Sequence, residues 1–211
     1  MDARIIFWIV FAVLTLLVLF LNAKFGMLRD DSTVAVKKPY SFARAQLTWW
    51  SVIVLSSFIA FFIARGEIFT FNGSALILLG ISVTTTITAR LTDLSDKTNI
   101  AADQICQNSP GENFLLDILS DNNGVSISRL QTVIFNIVIG AWFIYQMLNN
   151  LVTCPRLDPD QILPILEPNN LILLGLSSGT YAAMKTTENK SRNSKPPAGA
   201  GNDAADIPPV G

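Results

Sequence analysis

Apolar residues gather in five runs separated by polar stretches. The first, residues 5–21 (IIFWIVFAVLTLLVLFL), carries no charge and comes close to the ~20 helical residues that a bilayer core requires. Residues 45–64 (beginning AQLTWWSVIVLSS) and 130–148 (LQTVIFNIVIGAWFIYQML) are equally clear. Residues 75–89 and 170–184 are shorter, the former rich in threonine, the latter in glycine and serine. Such segments either cross the membrane or lie buried or re-entrant within it. Asn72-Gly73-Ser74 and Pro168-Asn169-Asn170 stand where each helix would start, which favours full crossings. The pattern predicts an all-α integral membrane bundle of five transmembrane helices. The first run is the most uniformly apolar, as expected of a peripheral, lipid-facing helix. Its leader MDAR is weakly basic and no small-x-small site follows it, so a retained helix is expected rather than a cleaved signal.

The runs also repeat. Ser41-Phe-Ala-Arg44-Ala-Gln46 aligns with Ser126-Ile-Ser-Arg129-Leu-Gln131, and Ile77-Leu-Leu-Gly80-Ile-Ser82 with Ile172-Leu-Leu-Gly175-Leu-Ser177. Arg90 then aligns with Lys185. The second copy is longer by residues that fall in a connecting loop, where insertions are tolerated. Helices 2–3 and 4–5 are therefore predicted to be a parallel internal repeat, related by a pseudo-two-fold axis along the membrane normal. The predicted units are residues 1–22, the first helix; 23–89, the first hairpin with its basic loop; 90–129, a loop with a short amphipathic helix; 130–185, the second hairpin; and 186–211, a disordered tail rich in Pro, Gly and Ala.

Charge orients this scheme. Of 15 Lys and Arg, only Arg4, Arg65 and Arg156 fall on one side of a five-span arrangement; the rest lie in loops 22–44 and 90–129 and in the tail. The positive-inside rule then puts the N-terminus outside and the C-terminus in the cytoplasm. Cys106 and Cys154 would lie on opposite sides and could not pair within one chain. The chain is half hydrophobic, with mean hydropathy +0.43 and net charge −1, which offers no basic field for nucleic acid. It has no histidine. No metal or cofactor is expected, and the common histidine-based catalytic routes are closed.

One motif invites an enzymatic reading. Gly175-Leu-Ser177-Ser-Gly179 spells G-x-S-x-G, but a nucleophile elbow needs a strand–turn–helix and a histidine. Here the motif lies in an apolar run, and Lys185 is expected at the cytoplasmic surface. A packing reading explains more: Gly175, Gly179 and Ala183 recur every fourth residue, as do Gly80, Thr84 and Thr88 in the first copy. Such ridges allow close helix contact in lipid. Thr85, Thr86, Ser178 and Thr180 are expected to bond carbonyls of the preceding turn. Arg44 with Gln46, and Arg129 with Gln131, form polar pairs that serve either a functional role or snorkelling to head groups. In ENFLLDILSD, Phe114, Leu115, Ile118 and Leu119 share one helical face. That face either docks a cytoplasmic partner or packs on the bundle floor or lipid interface.

FLLDILSDNNGVSISRLQ, followed by LLGLSSGTYAAMK, resembles a group of bacterial multi-pass membrane proteins that share D-x-L-S-D, S-x-x-R-x-Q and L-G-x-S-S-G-T-Y. The resemblance covers about residues 112–188, with a weaker echo at 41–90, and departs at Asn136. It implies a bacterial inner membrane and attaches no activity. The expected function is a non-enzymatic anchor or scaffold for a cytoplasmic or membrane protein; the alternative is a small oligomeric channel. The expected partners are the lipid bilayer, a cytoplasmic protein and further copies of the chain, and not nucleic acid.

Overall fold

The computed structural model describes residues 2–30, 37–66, 71–99, 111, 113–121, 124–153 and 163–193. Cys106, Cys154 and residues 194–211 of the tail lie outside them. The described chain is all-α apart from one minimal hairpin. Its helices are α1 (Ala3–Phe25), α2 (Phe42–Arg65), α3 (Gly73–Asn99), α4 (Phe114–Leu119), α5 (Ile127–Thr153) and α6 (Pro168–Asn193). Strands β1 (Ser120–Asp121) and β2 (Gly124–Val125) pair antiparallel between α4 and α5. Gly124 takes φ 106°, a conformation that only glycine adopts without strain.

Four helices, α1, α2, α3 and α5, are long and apolar enough to cross a membrane. The sequence predicts a fifth span; α6 does not reach that length of apolar sequence, because glycine, serine and threonine interrupt the run. α2 is the centre of the bundle. Trp50, Ile53, Ala60 and Phe61 on it are fully buried and meet Phe143, Met147 and Leu174 from α5 and α6. α1 leans on α2 and buries only Ile6 and Phe7, so most of its apolar surface faces outward, as expected of a peripheral helix. Asp2 caps it at the start, accepting from the Arg4 N–H at 3.1 Å, and Gly26 closes it in the left-handed conformation.

α3 and α6 run side by side in the same direction. At one end Asn72 Nδ2 donates to the Leu163 carbonyl at 2.8 Å, and the Leu166 N–H donates to Ser74 Oγ at 3.0 Å. At the other end Lys185 lies 3.3 Å from Asp93. These two ties are separated by 19 residues along each segment, about 28 Å of helix along α3 and about 25 Å from Pro168 to Lys185 along α6. Both helices outlast the predicted spans. α3 continues beyond residue 89 to Asn99, and α6 beyond 184 to Asn193, so the first part of each expected loop or tail is helical. Thr92 Oγ1 bonding the Thr88 carbonyl at 3.0 Å, and the Lys185–Asp93 pair, hold these polar turns in place.

Candidate functional site

Two constellations bring polar residues of different segments together. The first is a seam inside the bundle. The indole N–H of Trp50 donates to Asn136 Oδ1 at 2.7 Å, and Asn136 Nδ2 donates to the Thr132 carbonyl at 2.8 Å. The neighbouring Trp49 indole N–H donates to the Asn136 carbonyl at 3.1 Å. One turn later Gly140 faces the Trp49 ring so closely that an added Cβ would lie 2.6 Å from Nε1. Asn136, which looked out of place in the sequence, thus fastens α5 to α2. The pair of tryptophans followed far downstream by an asparagine in an apolar run was the signal for it. One turn nearer the starts of α2 and α5, Gln46 Nε2 donates to Ser178 Oγ at 2.9 Å, and Thr132 Oγ1 donates to the Ser177 carbonyl at 3.2 Å. Gln46 Oε1 is buried without a hydrogen-bond partner, which costs roughly 1–3 kcal/mol.

The Arg/Gln pairs fare unequally. Arg44 Nη1 donates to the Met27 carbonyl at 3.5 Å, and Arg129 Nη1 donates to the Ser120 carbonyl while its guanidinium lies over the Tyr181 ring. Each arginine thus ties its helix to the segment just before it. The Ser41 and Ser126 N–H groups do the same, bonding the Leu28 and Leu119 carbonyls. The glutamines differ: Gln46 is buried in the seam and Gln131 is exposed.

The second constellation closes the charged end of the bundle. Lys185 is only 6% exposed, between Asp93 at 3.3 Å and Asp30 at 3.8 Å. Lys185, expected at the cytoplasmic surface, is buried within the chain, because the extension of α3 and the segment that carries Asp30 fold over it. Asp96 is buried nearby. A cavity of about 40 Å³ lies against Asp30, Arg44, Arg90, Asp93 and Lys97, room for water among the charges.

The predicted small-residue ridges do converge, but on open space. Gly80, Thr84, Thr88, Gly175 and Gly179 border a groove of about 380 Å³ between α3 and α6, and Ala183 is exposed beside it. A Cβ on Gly80 or Gly179 would meet nothing within 4 Å, and one on Gly175 only Ile81 Cδ1 at 3.7 Å. The expected tight contact within the chain is not made at these glycines. The hydroxyls of Thr85, Thr86 and Thr180 bond the preceding turn as expected, while Ser178 is taken by Gln46.

The amphipathic α4 is packed on its own chain. Asp117 Oδ2 accepts from the Tyr40 N–H at 3.1 Å, and the Gly111 N–H donates to the Lys37 carbonyl at 2.8 Å. Ile118 is buried with Phe42, Ala43, Ala89 and Tyr181, and Leu119 packs against them. Phe114 meets the Tyr40 ring but stays partly open, and Leu115 is exposed. Ser177 lies in the middle of helix α6, buried, two turns from Lys185. Among the described residues no group of His, Cys, Asp and Glu is placed to hold a metal ion. Compared with known proteins, the chain matches no family model and is similar to no curated protein or solved structure.

Proposed function

We propose that this chain is a non-enzymatic scaffold of a bacterial inner membrane, spanning it five times with the N-terminus outside. It presents its charged end to a cytoplasmic protein. The observation that carries this reading is the tied state of that end. α3, α4, α6 and the loop before α2 meet there, pinned by Lys185, Asp117 and Arg129. Gln46 and Lys185 fasten helices together, and Arg44 and Arg129 tie helix starts to the segments before them, which suits a rigid platform better than a reaction site. Ser177 sits within a helix in a chain without histidine, which supports the non-enzymatic part.

The fifth span is supported by the run of α6 beside α3. If α3 crosses the bilayer, a helix tied to it at both ends of a 28 Å stretch crosses with it, and hydrocarbon cores are ~30 Å thick. The parallel repeat is supported by the matched starts of α2 and α5, where Ser and Arg bond the preceding segment alike. The unequal burial of Gln46 and Gln131 marks where the copies have diverged.

A second reading, a pore built from several copies, draws on the groove between α3 and α6 with its Gly, Ser and Thr lining. Purified protein in liposomes separates the two. The scaffold reading expects no ion or solute flux, and a cytoplasmic protein cross-linked through Leu115 in cells. Flux that depends on Thr84 and Ser178 would overturn it in favour of the pore.

A further inference from the structure

α1 and α5 meet at one end and part toward the other. Near the start of α1, Arg4 Nε donates to the Leu148 carbonyl at 3.2 Å, and Ile6 and Phe7 belong to the same buried cluster as Met147 and Leu151. Farther along, Thr15 and Val18 of α1 and Val133 and Ile137 of α5 line one cavity of about 440 Å³. Thr48 and Val52 of α2 give it a third wall, and Phe114 and Ile118 of α4 lie at the end where α2 starts. Almost no polar atom faces this space. Gln46, Trp49 and Asn136 border it, but Gln46 Nε2 is bonded to Ser178, Trp49 Nε1 to the Asn136 carbonyl, and the Asn136 amide to Trp50 and Thr132. Voids of this size are rare in close-packed protein, and apolar ones take apolar ligands rather than water.

We infer that this cavity holds one hydrocarbon chain of a phospholipid from the leaflet on the α4 side, with an anionic head group at its mouth. Its dimensions choose the occupant. On α2 the lining runs from Phe42 to Val52, about 15 Å of helix, which is half of a ~30 Å hydrocarbon core. Arg44, next to Phe42, borders the charged cavity with Asp93, so the apolar lining begins where the charged end stops. The volume spread over that length leaves a cross-section of about 30 Å², whereas a helix of ~10 Å diameter needs about 80 Å². A single hydrocarbon chain fits, and a helix of another protein or copy does not. Ile137 on the rim is 55% exposed, which opens a lateral way in between α1 and α5. Charge chooses the head group. Phe114 at the end of the cavity packs edge-on to the Tyr40 ring at 5.2 Å, and the Arg29 guanidinium lies 4.7 Å over the same ring. Lys24, Lys37 and Lys38 add positive charge to the chain between α1 and α2, while Asp30 is turned to Lys185 and Asp117 to the Tyr40 N–H. A basic segment at the membrane surface attracts anionic lipid. The inference requires that α1, α2 and α5 cross the membrane, and it does not depend on the scaffold reading.

The test purifies the full chain from membranes in mild detergent and weighs the lipid that stays bound by native mass spectrometry. The wild type is expected to keep a single phospholipid, and to prefer phosphatidylglycerol when it is offered with an equal amount of phosphatidylethanolamine. Thr48→Trp and Val133→Trp fill the cavity and are expected to lose the lipid, while Leu17→Trp, on the outward side of α1, keeps it. Arg29→Gln is expected to lower the preference for the anionic lipid about fivefold, the worth of one basic residue near a lipid surface. Should the tryptophan variants fail to fold, the smaller Thr48→Leu takes their place, and the comparison of Arg29→Gln with the wild type still decides. A wild type that retains no lipid, retention unchanged by filling the cavity, or equal retention of the two lipids would each overturn the inference.

Discussion

Gly140 and Gly179 are both glycines in apolar helices, and the structure uses them in opposite ways. Gly140 lies under the Trp49 ring, where an added Cβ would stand 2.6 Å from Nε1; beside Gly179 there is nothing within 4 Å. Sequence periodicity points to Gly179, which belongs to a row of small residues. It passes over Gly140, which is alone. The difference teaches that a small-residue row describes one surface, whereas close packing is a property of two. Gly140 is tight because a tryptophan pair on α2 faces it, and Asn136 one turn earlier locks that pair in place by hydrogen bonds.

The same substitution at both glycines breaks this comparison most sharply. Gly140→Leu must displace a buried indole and its hydrogen bond, and is expected to cost at least the ~1–3 kcal/mol of an overpacked core. Thermal unfolding in detergent should show it as the least stable variant, or as one that fails to accumulate. Lys185→Met comes next. It leaves Asp30 and Asp93 without their shared cation, a loss that reaches ~3–5 kcal/mol for an isolated buried pair. Arg44, Arg90 and Lys97 around the same cavity soften it, so about 1–3 kcal/mol is expected.

Asn136→Leu sharpens the comparison from the other helix. It removes the acceptor of the fully buried Trp50 indole, and a loss of ~1–2 kcal/mol is expected with a shift in tryptophan fluorescence. Gly179→Leu is the smallest effect. Within one chain it projects into open space, and its unfolding should stay within ~0.5 kcal/mol of wild type. A large loss there, with Gly140→Leu tolerated, would reverse the assignment of the packing face.

Much of the helical order was legible because period and length carry it: the five apolar runs each lie within a helix, and Asn72 and Pro168 stand at the starts where turn residues put them. The hairpin after α4 was missed although the sequence Asn-Asn-Gly announces it, since two-residue strands leave no alternation to read. The extents of α3 and α6 were missed for a different reason. Their last turns are polar, and what keeps them helical is a pairing of Lys185 with Asp93 across 92 residues of sequence. The site followed the same rule. Arg44, Gln46, Arg129 and Lys185 were found by type and repeat, and Asn136 stood out by type, but the partners Asp30 and Asp93 of Lys185 and Trp50 of Asn136 follow only from the meeting of distant segments. Of the four residues read as one face of α4, Ile118 and Leu119 pack on the bundle while Phe114 and Leu115 stay exposed, and that split depends on Phe42 and Tyr181, from two other helices.

The central claim is that α6 crosses the membrane beside α3 and ends in the tied cytoplasmic platform. It is tested most directly by thiol accessibility in whole cells, in a chain with Cys106→Ser and Cys154→Ser. Glu167→Cys, just before α6, and Thr187→Cys, just past Lys185, are both exposed positions. The account predicts that an impermeant maleimide labels the cysteine at 167 in intact cells, and the one at 187 only after permeabilisation. Labelling of both positions only after permeabilisation would put the two ends of α6 on one side and contradict it.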